Sequence, residues 1–162
     1  MGRASHDVTA RLTSGQLEHY LHEHIPISRP LGVRVLAAGA DVVRLGAPLE
    51  PNLNHRQTVF GGSLSAVAIL AAWSWLYLRL GGPGFAGRIV IQNHSVEYLA
   101  PAEGDFVATC AAPGGEMWTR FERALERRGR ARVTLDVEVH VDRLLVARCR
   151  GRYVALGSAV PR

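Results

Sequence analysis

The sequence predicts an α+β domain in which an antiparallel sheet wraps around one long apolar central helix. Two observations carry this. The 22 residues between Arg56 and Arg79 contain no charge, so a helix there is apolar on every face and needs a wrapping on all sides. Around it lie β-rich stretches that alternate apolar and polar residues, each with one face to bury. Strands that meet by hairpins form an antiparallel sheet, and the helix fills its concave face.

The composition fits this plan. At 162 residues, 48% hydrophobic and 20% charged, the chain forms one domain over residues 1–162 with a real core, and its first ~12 residues read as an extension. Disordered and fibrous classes are excluded. All 19 basic residues are arginine, 11 of them at or beyond Arg120, and the net charge of +5 favours anionic ligands. No nucleic-acid motif accompanies that charge. Cys110 and Cys149 fall in apolar or alternating stretches, with no CxxC and no metal-ligand spacing. They read as buried free thiols in a reducing, cytoplasmic setting. Arg3, His6 and Asp7 precede any apolar run, unlike a secretory signal.

By length alone the uncharged run would pass as a membrane span. It carries Gly61, Gly62, Ser63, Ser65 and Ser74, it is the only such run, and the strands need something to cover. It therefore reads as a buried core helix.

The remaining elements follow from local signals. Thr13 and Gln16 form a capping box ahead of Leu17, Tyr20, Leu21 and Ile25 at helical spacing, stopped by Pro26. His19 and His22 sit among Glu18 and Glu23 on the polar side of that helix and read as solvated rather than metal-binding. Val33 to Ala38 and Val42 to Leu49 form a hairpin about Gly39-Ala40-Asp41. Gly81-Gly82-Pro83-Gly84 stops the central helix. Arg88 to Leu99 and Asp105 to Ala112 are the next two strands. Glu116 to Arg128 keeps helical spacing, with acid at its start, Arg127 and Arg128 at its end, and Gly129 as its cap. From Arg130 to Val141 the alternation is strict, and Asp142-Arg143 turns the chain into a last strand, Leu144 to Leu156.

The segment entering the central helix holds the chemistry. Asn52, Asn54, Thr58, Phe60, Gly61, Gly62 and Ser63, with Tyr98 to Pro101, Gly104-Asp105 and Gly129 to Arg132, resemble the pattern of a hotdog-fold thioesterase domain family that also occurs behind an N-acetyltransferase domain. The likeness runs from about Pro30 to Leu156. It implies hydrolysis of an acyl thioester, carried by coenzyme A or by an acyl-carrier protein, in fatty acid metabolism. It implies no cofactor beyond the substrate's own coenzyme A or pantetheine, and a homodimer or dimer of dimers with the site between subunits. The related phenylacetyl-CoA type of hotdog thioesterase has a glycine where Gln57 stands, a histidine at Phe60 and an acid at Ile69. Here no carboxylate occurs between Glu50 and Glu97.

Thioester hydrolysis needs donors aimed at the oxygen that gains charge and a group that orients or deprotonates water. N–H groups at Gly61 and Gly62, at a helix N-terminus, suit the first task. Glycine there also permits close helix-to-sheet packing, and Ser63 suits a cap. For the second task, Asn54 holds a water or the thioester without taking a proton, and His55 is either the base or a loop histidine. Asn52, Thr58, Phe60 and Ser63 belong to the substrate-binding set by the resemblance. Asn93 joins them as a candidate on the third strand, with His94 and Glu97; alternation sets Asn93, Ser95 and Glu97 on one face and His94 on the other. Phe60, Leu64, Trp73 and Trp75 are candidate linings of an acyl tunnel, with core packing the simpler fate of the tryptophans. Arg148, Arg150 and Arg152 either hold coenzyme A phosphates or form a solvated strand face. The missing acid supports a rival function, an acyl-thioester binding or regulatory module without hydrolysis. A hotdog dehydratase is disfavoured, because it needs a His and an acid that this helix lacks.

Overall fold

The computed structural model describes residues 12–157; the expected N-terminal extension lies outside them. The elements run α1 (Ser14–His24), β1 (Arg34–Ala38), β2 (Val42–Ala47), α2 (Gly61–Arg79), β3 (Arg88–Tyr98), β4 (Phe106–Ala111), α3 (Gly115–Arg128), β5 (Arg130–Val141) and β6 (Leu144–Leu156). The six strands form one antiparallel sheet in the order β1-β2-β4-β5-β6-β3. β3 and β4 follow each other in the chain yet lie apart, because β4 enters beside β2 while β3 forms the far edge beyond β6.

Helix α2 lies in the concave face and touches β2 to β6, the wrapped-helix plan expected of a hotdog fold. Eleven of its residues are buried, from Ser63 to Tyr77. Each large apolar side chain among them contributes about 1.5–3 kcal/mol by leaving water. Trp75 is only 1% exposed and donates its indole N–H to the Ala40 carbonyl at 3.0 Å, so its polar atom is satisfied inside the core. At the helix C-terminus the Arg79 guanidinium sits 4.6 Å from the Trp118 ring of α3, placing a cation where the helix dipole favours one.

The smaller helices pack at the C-terminal end of α2. α1 begins with the expected capping box: Thr13 Oγ1 accepts from the Gln16 amide, and Gln16 Oε1 accepts from the Thr13 amide. Leu17 and Leu21 are buried, and Tyr20 stacks on Tyr77 of α2 at 4.7 Å. His22 Nε2 lies 2.9 Å from the Val33 carbonyl, and His19 lies beside Glu23. α3 buries Trp118 and Phe121 and ends at Gly129, whose φ of +63° suits glycine.

The chain reaches α2 through a loop held by its own side chains. Asn54 Oδ1 accepts from the amides of Arg56 (2.8 Å) and Thr58 (3.2 Å), while its Nδ2 donates to Thr58 Oγ1 (2.9 Å). The Asn54 amide donates to the Thr58 carbonyl, closing the turn. Within it Gln57 takes a φ of +61°, the left-handed conformation that glycine accepts without cost. The phenylacetyl-CoA pattern, which the sequence resembles only in part, has a glycine at this position. Relief of about 1–2 kcal/mol of strain, offset by about 0.4–1 kcal/mol of unfolded-state entropy, sets the expected effect of Gln57→Gly. Gln57→Gly is therefore expected to be neutral to stabilising by up to ~1 kcal/mol, and Gln57→Val to destabilise by ~1 kcal/mol or more, since a β-branched residue fits this region worst. Urea midpoints at constant m-value measure both; a Val variant as stable as wild type contradicts the strain.

Candidate functional site

The first turn of α2 exposes backbone donors. Phe60 precedes the helix in an extended conformation and provides no side-chain cap. The amides of Ser63 and Leu64 turn back to the Phe60 carbonyl at 2.9 and 3.3 Å. Those of Gly61 and Gly62, the first two helical residues, have no intrahelical acceptor. The amides just before them are occupied: Val59 donates to Ala102 and Phe60 to Asn52. The two glycines are thus the open end of the helix dipole, and Gly62 is exposed.

Both glycines have a steric reason. The Tyr98 hydroxyl donates to the Gly61 carbonyl at 2.9 Å, and a Cβ at Gly61 would lie 3.2 Å from the Tyr98 ring. The Phe60 ring, itself 58% exposed, folds over Gly62 and would collide with a Cβ there. Tyr98 was legible only as part of a family pattern; its grip on Gly61 was not foreseen.

The other expected site residues separate into two groups. Asn52 is buried, and its Nδ2 donates to the carbonyls of Leu31 (2.9 Å) and Pro48 (2.7 Å). Through the bond from Phe60 to its own carbonyl it anchors the approach to α2. Asn54 and Thr58 hydrogen-bond each other within the loop, where His55 is exposed. Ser63 is buried as the third helical residue and does not cap the helix. Asn93 lies elsewhere. It is in register with Arg152 and Thr134 on the outer face of the sheet, away from α2.

His94 takes the opposite face. It pairs with Gly151, which pairs with the core residue Leu135. Val96 and Tyr98 follow on the same inner side. A bulge at Gln92 shifts the phase, so that Ile89 and Ile91 also point inward. Tyr153, the partner of Ile91, donates its hydroxyl to the Ile69 carbonyl at 3.3 Å, and its ring covers Gly151. β3 is therefore fixed to α2 at Tyr98 on Gly61 and, through Tyr153, near Ile69. His94 faces α2 between those two points. Neither ring nitrogen has a hydrogen-bond partner, both are buried, and burial lowers the imidazole pKa from its ordinary value.

Along this side α2 keeps a half-covered stripe of Gly62, Ser65, Ala66, Ile69 and Trp73. Beside it Val90, Ile91, Tyr98 and Leu99 on and after the edge strand are exposed, as are Leu53 and Phe60. The stripe ends at a cleft of about 530 Å³ lined by Tyr20, Trp73, Tyr77, Phe85 and Ile89. Of the expected tunnel residues, Phe60 and Trp73 border this surface, whereas Leu64 and Trp75 belong to the core.

The charged residues of the outer face are interleaved. Arg148 sits in register between Glu97 and Glu138, and Arg150 between Ser95 and Asp136, binding the Asp136 carboxylate through two bonds of 2.7 and 3.1 Å. Arg148, Arg150 and Arg152 are exposed along this face. The inner thiols are inert: burial pushes Cys149 up to about 11 and Cys110 to about 12.

Known proteins share this architecture. A protein of unknown function from Chlorobaculum tepidum is 33% identical, with a TM-score of 0.84 over 92% of this chain and 99% of its own. A protein from Shewanella oneidensis described as a putative thioesterase is 27% identical, with a TM-score of 0.74 over 88% and 96%. A thioesterase from Haemophilus influenzae, 14% identical with a TM-score of 0.72 over 92% and 94%, shares the fold. The model of the family described as "Putative thioesterase (yiiD_Cterm)" matches residues 14–157, so the chain belongs to that family.

Proposed function

We propose that the protein hydrolyses an acyl thioester whose carbonyl oxygen is held by the N–H groups of Gly61 and Gly62. The observation that carries this is the open first turn of α2, where two adjacent amides lack acceptors inside the helix. A tetrahedral intermediate places negative charge on that oxygen, and a donor aimed at it lowers the barrier by about 3 kcal/mol. Asn52, Asn54 and Thr58 act by shaping the approach, since their side chains are bound within it. The acyl chain runs along the α2 stripe toward the aromatic cleft at Trp73. The thiol carrier is coenzyme A or carrier-protein pantetheine, and the buried free thiols fit a reducing, cytoplasmic setting.

The working unit is a homodimer, or a dimer of dimers, joined along β3. This 11-residue edge strand presents unpaired backbone groups beside exposed Val90, Ile91, Tyr98 and Leu99. Such an edge is a template for another strand, and a second copy brings an identical one. Light scattering is expected to give at least twice the chain mass, and Val90→Asp with Ile91→Asp to give a monomer; a monomeric wild type removes the dimer.

Gly61 allows a direct test of the donors. Phe60 is already extended, so Gly61→Pro suits the first helical position while deleting one N–H. Gly61→Ala adds the same Cβ and keeps the donor. Thiol release from a panel of acyl-CoAs is expected to fall about 100-fold for Pro and much less for Ala. Equal loss in both would assign the glycine to packing alone, and tight binding without turnover by the wild type would favour the non-hydrolytic module.

A further inference from the structure

We infer that His94 is the proton acceptor that replaces the acid missing from α2. The inference rests on the hydrolytic function proposed above and names the base that it lacks. The first support is position. An acid at residue 69 would face the surface along which the stripe runs, about 12 Å along the helix from Gly61. His94 faces α2 between Gly61 and Ile69, beside the Tyr153 ring that reaches the Ile69 carbonyl. It thus lies on the inner side of the sheet over the same stretch of α2, placed there by a strand instead of by the helix.

The second support is elimination. On α2 the only titratable groups are Tyr77 and Arg79, both at its far end. The inner rows of β3, β5 and β6 place Tyr98, Cys149 and Tyr153 near His94, and burial holds each of these protonated, with its pKa raised. Glu97, Asp136, Glu138, Arg148, Arg150 and Arg152 lie on the other side of the sheet. Among the described residues, no carboxylate lies on α2 or in these inner rows. His94 is the one group there that is neutral near pH 7 and able to take a proton.

The third support is the unmet hydrogen-bonding capacity of the ring. Two buried nitrogens without partners leave the ring's donor and acceptor capacity unused. A neutral imidazole has one donor and one acceptor, and the acceptor suits a water O–H. In the reaction, that nitrogen removes a proton as the water oxygen bonds to the thioester carbon. The tetrahedral intermediate then collapses with cleavage of the C–S bond, and the imidazolium returns the proton to the departing thiolate. The products are a carboxylic acid and a free thiol.

The test is the pH profile of kcat/KM for acyl-CoA hydrolysis, paired with an NMR titration of the His94 ring in the wild-type protein. The base works only when neutral, and burial lowers its pKa below 6.5. The rate is therefore expected to fall as pH drops through that lowered value, and the ring to titrate at the same pH. His94→Gln is expected to lower kcat about 100-fold, to change KM little and to lose the acidic limb. Circular dichroism checks its fold. A His94→Gln enzyme with wild-type rate and limb overturns the assignment while leaving hydrolysis intact. A His94 titration that does not coincide with the kinetic limb overturns it without any variant. A wild type that releases no thiol from any acyl-CoA or acyl-pantetheine refutes the hydrolytic function, and this assignment with it.

Discussion

Everything in the molecule depends on enclosing a helix that has no polar face. From Gln57 to Leu78 the chain carries no charge, so α2 cannot lie on a surface with one side in water. Five strands close on it, and α1 and α3 cover its C-terminal end through Tyr20 on Tyr77 and Trp118 beside Arg79. A carboxylate in the enclosed part of α2 would bring a desolvation cost of several kcal/mol unless paired. The helix therefore offers catalysis what a helix without charged side chains can supply, the dipole and open amides of its first turn. A proton-transfer group has to come from another part of the chain.

The enclosure is incomplete along one line. Gly62, Ser65, Ala66, Ile69 and Trp73 fall on one helical face and remain half-covered or exposed on the side of the edge strand. In a single chain this leaves an apolar seam beside unpaired strand backbone. A second β3 edge and a bound acyl chain would complete what one sheet leaves open. In the proposed enzyme the same seam would link assembly, substrate binding and the reacting carbonyl.

Much of this was legible in the sequence. The capping box at Thr13, the Gly81–Gly84 stop and the alternation from Arg130 to Val141 located their elements closely, because each is a local signal with a local cause. The glycine pair was legible for the same reason. Strand order was not: β3 and β4 are neighbours in the chain but are separated by β5 and β6 in the sheet. The bulge at Gln92 was hidden too, although it explains why Ile91 and His94, three residues apart, face the same side. Asn54 shows a different limit. Its pattern is consistent with a ligand-binding amide, whereas its hydrogen bonds to Arg56, Thr58 and the turn backbone use its side chain within the loop. Polar residues near a site are chosen by backbone needs as often as by substrate, and only geometry separates the two.

The distribution of charge follows from the same enclosure. Of the arginines that give the chain its net charge of +5, Arg120, Arg123, Arg127 and Arg128 lie on α3, and Arg148, Arg150 and Arg152 on the outer sheet face. On the outer face they alternate in register with Glu97, Asp136 and Glu138, and one forms a two-pronged bond to Asp136. Such exposed pairs contribute little to stability. Their placement keeps both signs out of the concave face, where the remaining titratable side chains are driven toward their neutral forms. Phenols and thiols are neutral when protonated, and burial raises their pKa; an imidazole is neutral when deprotonated, and burial lowers it. One physical effect, desolvation, thus silences the cysteines and tyrosines beside α2 and leaves His94 as a base.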